Sequence, residues 1–299
     1  MDPSPLRALE ELHGLRDPLL IATFVRRNGF NSTAAAALAQ FGVTHNAKPV
    51  AEIEADPFYD FSVMPPSVRR VDDRRVLDWP TNEVRLVSEG SLRDVLLIAG
   101  VEPHLRWQAF AAALNGYCAG QGVKDLLVLR SWPAAVPHTR PIVQRLTAAG
   151  GATFAAELGL KSIDTQYEGP VDFGGLLSTL HAGAGGENAG LTVVVPNYLG
   201  VVPNPFALLS LVASLDRLAG TETPLPPVEA AADQLRARAT EEMAKNDELR
   251  EAVSTLEQNY EAIVAQLTGE AATDELPSSA DLLADVERFL RGGDDPPPT

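Results

Sequence analysis

Two histidines, His104 and His138, each follow an apolar run that reads as a strand, and Arg106 and Arg140 lie close behind them. Open α/β sheets place ligand sites at the carboxyl ends of their strands. An arginine there holds a phosphate or carboxylate through its two-pronged guanidinium. Glu102, beside the first pair, has the chemistry of a general base. Asn197, Tyr198 and Asn204 fall in a second irregular segment that would line the same crevice. The competing reading is that all eight residues brace loops by hydrogen bonds or form a subunit interface, because no motif fixes their mutual geometry.

Other chemistries find less support. Two histidines without further ligands at recognised spacing make no metal site. The run Gly183–Gly190 lacks the Lys-Ser/Thr ending of a phosphate loop and precedes a strand, so it reads as a flexible connection. Ser131 is outside any nucleophile-elbow pattern. The single cysteine, Cys118, sits in an apolar stretch and reads as buried and inert, which suits a reducing compartment. His181 is expected on an exposed helix surface. No catalytic residue, metal or cofactor is assigned.

These residues need elements to hold them. Asp94–Gly100 is apolar throughout, as in a strand buried on both faces. A helix follows to about Ala119, opened by Pro103 and ended by Gly120 and Gly122. Lys124–Arg130 is the next strand, and Ser131–Pro141, with three prolines, reads as a loop. Phe173–Leu180 reads as a helix, Thr192–Pro196 as a strand, Asn197–Pro205 as a loop and Phe206–Leu218 as a helix. Earlier, Pro18–Val25 suits a strand and Ser32–Phe41 a helix capped by Ser32. Arg74–Trp79 and Glu83–Ser88 alternate polar and apolar residues and suggest a hairpin turning at Pro80–Asn82. This alternation of strands and helices predicts a three-layer α/β core over 1–220.

Thr221–Pro227 marks a boundary, beyond which 228–291 reads as a helical subdomain and 292–299 as a disordered tail. Leu249, Val253, Leu256, Tyr260, Ile263 and Leu267 form a heptad-type seam. Its expected partner is the helix around Ala231–Lys245, with a break and cap at Asn246-Asp247. A last helix is expected over Ser279–Arg291.

Of 299 residues, 45% are hydrophobic and 21% charged, enough for a core. The net charge is −16, against the basic surface a nucleic-acid binder needs. From Glu222 to Thr299 there are 18 acids and 6 bases, a net of −12, and the remaining 22 acids and 18 bases leave −4. The appendage is a solvated helical surface or a docking face for a basic partner. The opening Met1-Asp2-Pro3 has no basic segment leading into an apolar one, and no uncharged apolar run reaches about 18 residues. A cytoplasmic protein with no membrane span is expected.

Several segments together resemble the proteasome assembly chaperone 2 family in its actinobacterial form. These are Val101–Trp107 (VEPHLRW), Ala134–Pro141 (AAVPHTRP), Tyr167–Pro170 (YEGP), and Val195–Tyr198 with Pro203–Pro205. Asn246–Leu249, Leu256–Tyr260, Leu276–Ser279 and Glu287–Leu290 continue the likeness in order. The resemblance implies a core like that of nucleoside phosphorylases and hydrolases, followed by a helical subdomain. It also implies a homo-oligomer, with a trimer as the first expectation. It brings no catalytic residues, and Pro297-Pro298-Thr299 does not match the hydrophobic–tyrosine tail by which some relatives engage proteasome rings. Two functions follow: a non-catalytic assembly or chaperone-like protein, or a binder or enzyme for a nucleoside- or phosphate-type ligand in the crevice.

Overall fold

The computed structural model describes residues 4–268 apart from 27, 28, 30, 81, 149–151, 165 and 166. The apolar runs form the middle of a nine-stranded sheet. Numbered in chain order, its centre is β7 (Val95–Val101), β2 (Leu19–Val25), β8 (Asp125–Ala134) and β11 (Glu187–Pro196), side by side and all parallel. Outside β7 lie β6 (Asn82–Val87), β3 (Lys48–Ile53) and β1 (Leu6–Ala8), each antiparallel to its neighbour. Outside β11 lie β9 (Gln144–Thr147), antiparallel to it, and β10 (Ser162–Ile163).

Alternation along the parallel strands sends side chains to two separate cores. Leu19, Ile21, Leu127, Leu129, Leu191 and Val193 meet the helices α1 (Ser32–Thr44), α3 (Ala152–Leu158) and α5 (Pro205–Ala219). Leu20, Ala22, Phe24, Leu96, Ile98, Leu126 and Val128 meet α2 (Trp107–Gly120) and α4 (Phe173–Gly183). The result is the expected three-layer α/β arrangement. Leu211, Leu215 and Leu218 of α5 are among the side chains buried in the first core, each contributing roughly 1.5–3 kcal/mol by removal from water.

Several local expectations change. The first helix is preceded by Asn31 in the left-handed region (φ 67°) and Ser32 lies inside it. Asn31 is not free to cap, because its amide donates to the Phe24 carbonyl and its Oδ1 accepts from Ser131 N–H. The second helix starts at Trp107, four residues past Pro103. Arg74–Asp78 (β5) pairs backward with Ser67–Val71 (β4) through a turn at Asp72-Asp73, both with positive φ. The segment after Pro80 instead enters the main sheet as β6. Strand β8 continues through Trp132 and Pro133 to Ala134. Proline is tolerated there because β2 pairs with β8 only as far as Val128, leaving one side of the strand end unpaired. The second half of the glycine-rich run is the start of β11. His181 is buried, donating Nε2–H to the Lys124 carbonyl at 2.9 Å.

Beyond α5, helix α6 (Pro226–Lys245) turns at Asn246 into α7 (Asp247–Gln258), and Asn246 Oδ1 accepts from Leu249 N–H as its cap. Helix α8 (Tyr260–Leu267) follows after Asn259. The seam divides its work. Val253 of α7 is buried, whereas Tyr260, Ile263 and Leu267 pack on Val136, Val143 and Val194 at the strand ends. The start of α6 joins the core through Leu225 and Val228, and its middle through Ala232 and Leu235 on Phe206. The expected last helix and tail lie outside the described residues. None of the described helices is long and apolar enough to cross a membrane.

Candidate functional site

The strand ends carry two clusters, one on each side of the sheet. The first stands on a group of aromatic rings. Phe24 meets Phe173 edge-on with centroids 4.7 Å apart, and Phe110 lies 5.0 Å from both Phe58 and Phe173. Arg26 follows Phe24 by two residues, and Asp172 precedes Phe173. Above the rings, Arg26 pairs with Glu102 at 3.2 Å, and Arg130 grips Asp172 through two bonds of 2.9 and 2.8 Å. Asp172 also caps α4 by accepting from Gly175 N–H at 2.7 Å.

The electrostatics match this packing. Burial pushes the Glu102 carboxyl up, Asp172 adds to the rise, and Arg26 opposes it. Burial alone would raise Asp172 as well, but the Arg130 hydrogen bonds and charge, with Gly175 N–H, hold its carboxyl below the ordinary range. Space for the guanidinium comes from two glycines. A Cβ at Gly190 would lie 2.9 Å from Arg130 Nη1, and one at Gly174 would lie 3.2 Å from Nη2.

His104 and Arg106 do not join this quartet. His104 Nδ1 accepts from Asp60 N–H at 3.1 Å, and the His104 backbone N–H donates to the Phe58 carbonyl, so it braces the 58–60 turn. Arg106 is exposed and precedes α2 with φ 54°. Trp107 donates Nε1–H to the Pro103 carbonyl and stacks edge-on to Phe173. Tyr59 donates to the Val101 carbonyl and accepts from the Asn82 amide, whose Oδ1 takes Val101 N–H.

The second cluster holds His138 and Tyr198. The backbone N–H of His138 donates to the Tyr198 oxygen at 2.8 Å, and His138 Nδ1 lies 2.6 Å from the same oxygen. Nδ1 and the phenol oxygen share one hydrogen bond, so the ring nitrogen left over is Nε2. That atom is buried and has no hydrogen-bond partner among the described residues. Burial holds the His138 imidazole below its usual value, Glu257 opposing and Arg236 assisting. Burial also raises the Tyr198 phenol to about 12.

Beside the pair is a cleft of about 660 Å³ whose lining includes His138, Arg140, Phe206, Ser210, Asp233 and Arg236. Arg236 lies over the Phe206 ring, 5.2 Å from its centroid. Helices α7 and α8 secure the loop beneath: Thr139 donates to Glu257, and Tyr260 donates to the Pro141 carbonyl. Asn204 caps α5, accepting from Ala207 N–H, while Asn197 Oδ1 is buried without a partner among the described residues.

The eight predicted residues thus separate. Glu102, His104 and Arg106 stand at the end of β7. His138, Arg140, Asn197, Tyr198 and Asn204 stand beyond β8 and β11, across the intervening β2. Sequence reasoning missed Arg26, Arg130 and Asp172. Two signals were present: an arginine ending a buried apolar strand, and an aspartate at the N-cap position before Phe173. No group of three metal-ligating side chains occurs among the described residues.

Comparison with known proteins gives this geometry a family. None of the curated proteins matches the chain. Among solved structures, a Mycobacterium tuberculosis proteasome-assembly chaperone homologue is 32% identical over 79% of this chain and 99% of its own, with a TM-score of 0.68. A PAC2 family protein from Streptomyces avermitilis is 29% identical, covering 79% and 100%, with a TM-score of 0.69. An archaeal proteasome activator from Pyrococcus furiosus shares the fold at 16% identity, covering 81% and 98%, with a TM-score of 0.55. The PAC2 family model matches residues 32–243, so this α/β chain with its C-terminal helices belongs to the PAC2 family.

Proposed function

We propose that this protein is a chaperone-like assembly factor that works by binding other proteins, itself included, and has no catalytic step of its own. The observation that carries this reading is how the strand-end charges are spent. Arg26, Glu102, Arg130 and Asp172 satisfy one another, and His104 holds a backbone amide. Family membership supports the same reading, since one relative is described as a proteasome-assembly chaperone homologue and a protein of the same fold as a proteasome activator. Exposed acidic helices offer a contact surface to a basic partner. The 1–220 and 228–291 division follows the same logic, with the core as scaffold and the helices as contact surface. Self-association as a trimer and residence in the cytoplasm complete the proposal.

The test is sedimentation velocity of the purified chain with proteasome core subunits from the same cell, at low and high salt. A co-sedimenting complex that weakens with salt is the expected result. Failure to bind the subunits at tens of micromolar would overturn the assembly role.

One observation favours a second reading. The cleft bearing Arg140 and Arg236, next to a His138 Nε2 with no partner among the described residues, suits a small anionic ligand. A thermal-shift screen with phosphate and nucleosides tests it, because a ligand at 100 times its Kd stabilises by about 2.7 kcal/mol.

A further inference from the structure

The hairpin β4–β5 stands apart from the nine-stranded sheet, and every residue of it is exposed except the half-buried Asp78. A two-stranded hairpin on its own is marginal in water and is normally stabilised by a third strand or a helix. This one also concentrates apolar surface. Of the 15 exposed large hydrophobic residues among those described, six fall between Val63 and Trp79: Val63, Val68, Val71, Val76, Leu77 and Trp79.

The register shows what one face presents. Val68 is opposite Leu77, and Arg70 is opposite Arg75. Directly opposed residues of an antiparallel pair share a face, and like charges there repel. Arg69 is neutralised by Asp78 at 2.6 Å, but neither Arg70 nor Arg75 has an ion pair among the described residues. The face is therefore an apolar pair next to an uncompensated cationic pair, in a chain of net charge −16.

Its complement exists on the same molecule. Helix α6 carries a shallow groove of about 580 Å³ lined by Ala237, Thr240 and Ala244 with the acids Asp233 and Glu241 and one base, Arg236. The small side chains recur at helical spacing and leave room for a valine and a leucine. The two acids are 77% and 66% exposed, in surface pairs with Arg236 and Lys245 that exchange readily.

We propose that the Val68–Leu77 and Arg70–Arg75 face of the hairpin docks on the α6 groove of a second copy of this chain. The contact is heterologous, hairpin of one copy to helix of the next, and such contacts close into rings when the rotation allows. The proposal rests on the self-association part of the reading above and assigns it a surface.

The test is sedimentation of the full chain across concentration, with two variants at exposed positions whose folding is checked by circular dichroism. Arg70→Glu with Arg75→Glu is expected to weaken self-association roughly tenfold or more. Asp233→Arg with Glu241→Arg is expected to do the same, and mixing the two variants to restore association. A wild-type chain that stays monomeric at 100 µM overturns the proposal, as does a hairpin variant that associates like wild type. Loss without restoration on mixing overturns α6 as the occupant. Binding to proteasome subunits, measured on the same variants, separates this proposal from the assembly role, because either can fail while the other holds.

Discussion

Substituting Asp172 separates two effects that one side chain combines. Its carboxylate takes two hydrogen bonds from Arg130, and it caps α4 through Gly175 N–H. Asp172→Asn keeps a good cap but removes the charge, stranding Arg130. Breaking a fully buried pair costs about 3–5 kcal/mol. Here the two side chains remain 22% and 23% exposed, so about 2 kcal/mol is the reasoned value. Asp172→Ala loses the cap too, adding about 1 kcal/mol. At about 2.1 cal/mol/K of unfolding entropy per residue over 299 residues, these are melting-point drops of roughly 3 and 5 °C. The acid limb provides an independent check. The Asp172 carboxyl is held below its unfolded value, so its stabilisation is complete above about pH 4 and is lost as pH falls through the folded value. The Asn variant should therefore show a flatter melting-point profile below pH 4. An Asn variant as stable as wild type, or an Ala variant equal to the Asn variant, would refute the account.

Gly100→Ala should destabilise by about 2–4 kcal/mol in urea unfolding, because its Cβ would fall 1.8 Å from Asn82 Oδ1 and break the bond to Val101 N–H. Cys118 is fully buried and its thiol is pushed up to about 12 by burial, so it should resist an aromatic disulfide reagent until the protein is unfolded. His138 is held neutral by burial, and its folded value lies below the unfolded 6.5. Stability from this residue is therefore present above about pH 6.5 and falls as pH drops from there toward the folded value, a slope that His138→Gln should remove in thermal melts.

The centre of the sheet was legible because β2, β7, β8 and β11 lie between two helical layers, which forces apolar residues on both faces. The edges were not. Strand β1 has three residues, β10 two and β9 four, too few for any period to show. The hairpin error has a different cause. Alternation marks a strand but not its partner, and the two-residue turn at Asp72-Asp73 was the better signal. The site was half legible for a related reason. Residues such as His104 and His138 stand out by type, but their distance apart depends on strand order, which places β2 between β7 and β8. Arg130 and Asp172, 42 residues apart, meet only because β8 and the start of α4 share the strand ends.

The docking of α8 on Val136, Val143 and Val194 has a consequence for synthesis. The patch is complete once Val194 has left the ribosome, before any of its cover, Tyr260 to Leu267. At roughly 5–20 residues per second, the interval from Val194 to Leu267 is about 4–15 s. During that time the core can close, but the valines at its strand ends face solvent. A nascent chain halted before α8 would present that apolar patch, the loop carrying His138 and an unclosed cleft to whatever meets it first.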